Sequence, residues 1–394
     1  MLDGINKKVE EIKGKLIKFR REIHSSPELG GCEKNTAAFI SGILEDNDIE
    51  LIRGVAGHGV VGLLRGSGEK TIALRADMDA LPMQDKKETE YSSRVSGVMH
   101  ACGHDVHTAI LIGSAIVLGS MRDRLKGNIK FIFQPAEESA DGGACDMIKA
   151  GVLDGITPSA IVALHCYPEL EVGRIAHKPG MMTAAADRIR IVVKGKSAHA
   201  SRPHQSVDAV LVSSMVINAI HHIVSRQMDP LHAAVISIGT IRGGCAENII
   251  ADYVEMEGTV RTLDEEMREK MPEIIENTIR GVTDSVGAGY EFYYECWCPP
   301  VINDSSVDEM IKKSATDILG KENVVEMHQP MMGAEDFAFF TEKIPGALFR
   351  LGTSNREKGL VAPLHNSRFD VDEESIVIGT KLMSWIAARY VNDL

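Results

Sequence analysis

"ADRIRIVVKG", residues 186–195, marks the point where the pattern of this 394-residue chain changes, and its reading decides the fold. Apolar and polar residues alternate along it, as in a strand with one face buried. Downstream, "SVDAVLVSSMVINAIHHIVSRQ" (206–227) has helical spacing, and "HAAVISIGTIRGG" (232–244) and "ADYVEMEGTVRT" (251–262) read as strands. "DEEMREKMPEIIENTIRGVTDSV" (264–286) is a helix opened by Asp264 with acids in its first turn. "GYEFYYEC" (289–296) is a last strand. The order β-α-β-β-α-β is the split βαβ arrangement of ferredoxin-like domains.

Upstream the rhythm is different. "GVVGLLRG" (59–66), "TIALRADMD" (71–79), "NIKFIFQPAEE" (128–138) and "SAIVALHCY" (159–167) read as strands, with helical stretches at 105–121 and 143–153 between them. Strands alternating with helices predict a larger α/β layer structure, a mixed sheet with helices on both faces. The alternation resumes after "WCPPV". The expected organisation is therefore a discontinuous catalytic domain, 1–183 and 297–394, carrying an inserted ferredoxin-like domain at 184–296. In α/β sheets chemistry gathers beyond the carboxyl ends of strands. Asp77, Asp79, Glu137, Glu138 and His165 each close a strand-like run.

Composition narrows the function. Lys plus Arg number 43 against 56 acidic residues, a net charge of -13, which argues against nucleic acid or an anionic membrane as partner. Seven scattered cysteines do not suit a secreted disulfide framework and fit a reducing cytoplasm. The N-terminus reads as a charged amphipathic helix rather than a signal peptide, and no apolar run is expected to span a bilayer.

The polar strand ends are joined by "HACGHD" (100–105) and "PLHNSRFD" (363–370). Alone, the Cys102 thiol could be a nucleophile, half of a redox pair, a metal ligand or a small buried side chain. Together, Cys102, His104, Glu138, His165 and His365 are donors that a zinc-class divalent ion accepts. Five are too many for one tetrahedral ion and suit two ions sharing a ligand. At a strand end the tandem Glu137-Glu138 can turn both carboxylates into one site, one on metal and one taking a proton from water. A solvated acidic loop is the alternative for such a pair.

The motifs resemble the aminoacylase and carboxypeptidase family of dinuclear metallopeptidases. Within it they are most similar to the branch of hippurate hydrolases, N-acyl amino acid deacylases and auxin-conjugate amidohydrolases. The likeness runs from "REIHSSPELG" (21–30) through "RADMDALP", "MHACGHDVHTA", "FQPAEE", "LHCYP", "GKSAHASRPH", "AENIIADY" and "GTVRT" to "MGAEDFAFF" and "LHNSRFD". It implies a dinuclear site of Cys102, His104, Glu138, His165 and His365, with Cys102 bridging, and Glu137 as general base. It implies that Asp79 orients a ligand. Relatives outside the branch carry His where this chain has Asp77, so whether Asp77 contacts metal is left open.

The inserted domain resembles the family's lid or dimerisation domain. His199 matches a histidine that reaches across a dimer to the scissile carbonyl, and Asn248 and Arg261 match positions that hold the substrate's carboxylate. The expectation is a metal-dependent amidohydrolase of N-acyl amino acids or short peptides, with two ions of Zn, Mn, Co or Ni, working as a homodimer or a dimer of dimers. A dipeptidase or carboxypeptidase is the alternative. A cysteine hydrolase with a Cys102–His104 pair and a non-catalytic metal-binding protein are further readings; the first leaves the paired glutamates without a role.

Overall fold

The computed structural model describes residues 1–139 and 142–394. The chain divides into two compact units, one of Met1–Met182, Val301–Gln329 and Asp336–Leu394, the other of Thr183–Pro300 and Pro330–Glu335. The short segment Pro330–Glu335 thus joins the second unit, although it lies far downstream of the inserted run.

In the first unit eight strands form a mixed sheet in the order Glu50–Val55, Gly59–Leu64, Asn128–Gln134, Thr71–Asp77, Ala160–Glu171, Gly346–Ser354, Ile175–His177, Val324–Glu326. The central strands Asn128–Gln134, Thr71–Asp77, Ala160–Glu171 and Gly346–Ser354 run parallel to one another. Parallel strands are covered on both faces, and Thr71–Asp77 and Asn128–Gln134 are buried at every position. Helices Leu2–Ser25, His104–Gly119 and Glu374–Asn392 flank this sheet and share its core. His104–Gly119 is apolar nearly all round, as a helix packed on all sides must be. Gly103, at its N-terminus, has φ 88°, and a Cβ there would fall 2.8 Å from Cys166 Sγ. Only glycine fits that position.

The second unit has the expected β-α-β-β-α-β order. Its sheet runs Ala234–Gly243, Tyr253–Thr262, Ala185–Lys194, Gly289–Cys298, antiparallel throughout. Ile189, Ile191 and Val193 from the strand read first pack with Val212, Val216 and Ile220 of helix Ala209–His222 and with Met271, Ile275 and Ile279 of helix Glu265–Val286. Asp264 caps the latter helix by accepting from Met267 N at 2.7 Å.

One expectation needs correction. The run Ala209–Gln227 has 19 residues and mean hydropathy 1.3, so by length and composition it could cross a bilayer. Its apolar character has a folded use: Ala209, Val212, Val216, Ile220 and Ile223 lie in the core of the second unit.

Candidate active site

Strands Thr71–Asp77 and Asn128–Gln134 end in register, Asp77 opposite Gln134. Strand Ala160–Glu171 runs on past them. Its pairing with Thr71–Asp77 stops at Ala163, so His165 lies in mid-strand rather than closing it, at a point where its bonding to that neighbour has ended. The site opens in this step.

Three of the ligand candidates, His104, His165 and Glu138, are oriented by a second group. His104 Nδ1 lies 2.9 Å from the Asp79 carbonyl and 3.1 Å from Asp79 Oδ1, both of which only accept, so its proton sits on Nδ1. The other nitrogen, Nε2, is buried and has no hydrogen-bond partner. His165 Nδ1 similarly meets the Cys166 carbonyl at 2.8 Å, leaving Nε2 at 3.5 Å from Cys102 Sγ. Glu138 donates its backbone N–H to Asp79 Oδ2 at 2.9 Å, and its Oε1 lies 3.1 Å from His365 Nε2. His365 and Ala136, neither of them glycine, have φ of 57° and 58°. Such backbone costs roughly 1–3 kcal/mol and collects at functional sites.

Among the described residues of the first unit, four overlapping groups result: Cys102, His104 and His165; Cys102, Glu138 and His365; His104, Glu137 and Glu138; Asp77, His104 and His107. Within each, one donor atom per residue lies within 4.8 Å of the others. Cys102 belongs to the first two groups, and His104 and Glu138 are likewise shared between groups. The donor chemistry fits a pair of divalent cations: a thiol, imidazole nitrogens with their far sides fixed, and carboxylates.

Electrostatics agree. Burial pushes the Cys102 thiol well above its usual range. A cation reverses that cost, because the thiolate is the metal ligand. Burial would lower the His104 ring, yet Asp77, Cys102 and Asp79 outweigh it and hold it well above its ordinary value. A field that favours an imidazolium there favours a metal cation as well.

Asp77 is engaged elsewhere. Its Oδ1 accepts from His107 Nδ1 at 2.5 Å and its Oδ2 from Arg75 Nη1 at 2.7 Å, while His104 Nε2 is 3.8 Å away. His107 Nε2 in turn accepts from Cys166 N at 2.8 Å, so both its nitrogens are used. Burial would raise the Asp77 carboxyl; His104, His107 and Arg75 hold it well below the carboxylate range.

The sequence reading passed over Arg75 and Gln134. Arg75 also donates to Gln134 Oε1 and Asp336 Oδ1, each at 2.8 Å, and Asp336 Oδ2 accepts from Ala144 N at 2.8 Å. Asp336 is therefore a buried tie, close before the short helix Ala338–Thr341.

In the second unit His199 is exposed, on a two-residue strand opposite Ile249–Ile250. Its Nδ1 accepts the Ser201 N–H at 3.1 Å, so in the neutral ring the proton sits on Nε2. Asn248 is adjacent, its carbonyl accepting from Ala200 N at 3.0 Å. A cavity of about 650 Å³ beside His199 is lined also by Lys196, Arg202 and Gln205. Arg261 has a buried Nη1 without a hydrogen-bond partner.

Residues 73–389 match the model of peptidase family M20/M25/M40. The chain belongs to this family. It is 39% identical over 396 residues to thermostable carboxypeptidase 1 of Saccharolobus solfataricus, covering 100% of this chain and 99% of that protein. It is 39% identical over 375 residues to N-acetylcysteine deacetylase of Bacillus subtilis, 95% of this chain and 96% of the other. Among solved structures, the Bacillus subtilis YXEP protein, a dinuclear metal binding peptidase, aligns with TM-score 0.83 and 35% identity over 98% of this chain and 100% of that one. As a member of the M20 family, the chain is a metal-dependent amidohydrolase, and its overlapping clusters suit two divalent ions.

Proposed function

We propose that this M20 hydrolase cleaves the amide bond of N-acyl amino acids that carry a free carboxylate. Cys102, His104, Glu138, His165 and His365 would hold the ions, with Cys102 as the proposed shared ligand. The observation that carries the reading is the position of Glu137. It stands in one cluster with His104 and Glu138, its Oε2 3.9 Å from the unpartnered His104 Nε2. Two divalent ions of the zinc, manganese, cobalt or nickel class would supply Lewis acidity there, for the carbonyl and for the attacking water. Glu137 takes the proton from the attacking water and returns it to the departing amine. Asp79 keeps His104 and the Glu138 backbone in place.

His199 has the tautomer of a hydrogen-bond donor at Nε2, which suits stabilisation of the developing oxyanion. Asn248 and Arg261 hold the substrate carboxylate; the unpaired Arg261 Nη1 supports this, since an arginine fork binds a carboxylate in two places. The enzyme works as a homodimer. Val210, Leu211 and Met215 leave an apolar helix face exposed beside an edge strand, Ala234–Gly243, that a second copy can cover. Its place is the cytoplasm, in keeping with seven free cysteines among the described residues.

A screen of N-acetyl, N-benzoyl and dipeptide substrates, with each metal restored in turn, tests the proposal. N-acyl amino acids should be hydrolysed with the higher kcat/KM. A clear preference for peptides would favour the carboxypeptidase reading, which full-length similarity to a carboxypeptidase supports.

A further inference from the structure

Glu33 has no part in the chemistry above, yet its side chain is fully buried. Its Oε1 accepts the backbone N–H of Ala136 at 2.7 Å, across 103 residues of sequence. Ala136 is the residue before Glu137 and has the left-handed φ of 58°. On the other side of Glu137, the Glu138 N–H is held by Asp79 Oδ2 at 2.9 Å. The two amides that flank Glu137 are therefore each fastened by a buried carboxylate.

The loop that carries Glu33 is itself firmly placed. Glu28 accepts from the amides of Asn35 and Thr36 at 3.1 and 2.8 Å, at the start of helix Lys34–Glu45. Its carbonyl accepts from Ala80 N at 2.8 Å. Gly30 passes so close to the Glu137 loop that a Cβ would fall 2.1 Å from Ser139 Oγ and 3.2 Å from Ala136 Cα. An N-terminal motif thus forms a fixed bed beneath the segment Ala136–Ser139.

We propose that Glu33 is a positioning residue: it holds Ala136 in the left-handed conformation and so sets the direction of the Glu137 carboxyl. This rests on the proposed role of Glu137 as base. Without the Glu33 acceptor, Ala136 has no hydrogen bond to offset its backbone strain, and the loop relaxes toward φ below zero. Glu137 then points away from the water it must deprotonate, while the ligands still hold metal.

The test compares wild type, Glu33→Ala and Glu33→Gln by kcat, KM, bound metal and hydrogen exchange of the Ala136 amide. Glu33→Ala should lower kcat by about 10²-fold with KM within about 3-fold and metal content unchanged, and should speed exchange at Ala136. Glu33→Gln, whose amide oxygen accepts the same N–H, should return kcat to within about 5-fold of wild type and restore protection. A wild-type kcat or unchanged exchange in Glu33→Ala overturns the assignment, as does a Glu33→Gln variant as impaired as the alanine. If Glu33→Ala does not fold, Glu33→Asp, shorter by one carbon–carbon bond, should give the same split between kcat and KM; a wild-type kcat there overturns the proposal. Failure of the base reading itself is separable. Glu137→Gln would then keep near-normal kcat, and exchange at Ala136 would still report whether Glu33 holds the loop.

Discussion

At the scale of single residues, Glu137 and Cys102 carry different duties, and substitution separates them. Glu137→Gln keeps the shape but cannot take a proton, so kcat should fall by at least about 10²-fold with two metals retained. Steady-state kinetics beside metal analysis checks this; near-normal kcat removes Glu137 from the mechanism. Cys102→Ser should instead show lost metal, because an alcohol is a poor ligand at neutral pH. Asp79→Ala frees the far side of His104, and metal affinity should drop about 10–100-fold in a competition titration with a chelating dye. The candidate ligands could be named from the sequence because each sits in a short motif of donor-type side chains. Glu33, Arg75 and Gln134 were not. Their partners, Ala136, Asp336 and each other, lie 59 to 261 positions away, and only the folded sheet brings them together. The left-handed backbone at Ala136 and His365 likewise leaves no sign in residues that are not glycine.

At the scale of elements, a buried charge network ties the helix Leu2–Ser25 to the loop bearing His365. Arg20 donates to Asp105 Oδ2 at 2.6 Å and Asp370 Oδ1 at 2.7 Å, and Tyr91 OH to Asp370 Oδ2 at 2.8 Å. Lys87 Nζ donates to the Phe369 carbonyl at 2.9 Å. Removing one partner of a buried ion pair strands the other, so Arg20→Met should cost about 3–5 kcal/mol in denaturant unfolding. A loss under about 1 kcal/mol would show that the network is dispensable. The network also sets an acid limit. Burial would raise the Asp85 and Asp370 carboxyls, but His24, backbone amides and Lys87 around the first, and Arg20 and Lys87 around the second, hold both below the ordinary range. Carboxylates depressed in the fold stabilise it above their unfolded pKa of about 4, and that contribution is lost as pH falls through the folded values. Tm should thus stay level from about pH 7 to 5 and drop below about pH 4, more steeply than in Asp85→Asn. An equal acid response in the variant would assign the loss to other groups. Element order was largely readable from apolar period, including the whole β-α-β-β-α-β run. The position of His165 was not, since a strand's end is set by its neighbours' lengths as much as by its own residues.

At the scale of the whole molecule, the proposal that His199 of one copy completes the site of a second copy can be tested by mixing chains. A His199→Ala chain combined with a Glu137→Gln chain gives mixed dimers with one doubly defective site and one intact. Up to about half of wild-type activity should return in that species. Demonstrated subunit exchange with no recovery would place His199 in its own chain's site or outside the mechanism. The central claim, that a pair of divalent ions and Glu137 hydrolyse the amide, is tested most directly by exhaustive chelation of the holoenzyme followed by stepwise return of metal. N-acyl amino acid turnover should vanish on chelation and climb back with added metal, levelling at about two ions per chain. Activity that survives chelation but dies on alkylation of Cys102 would contradict the claim and make the thiol the nucleophile.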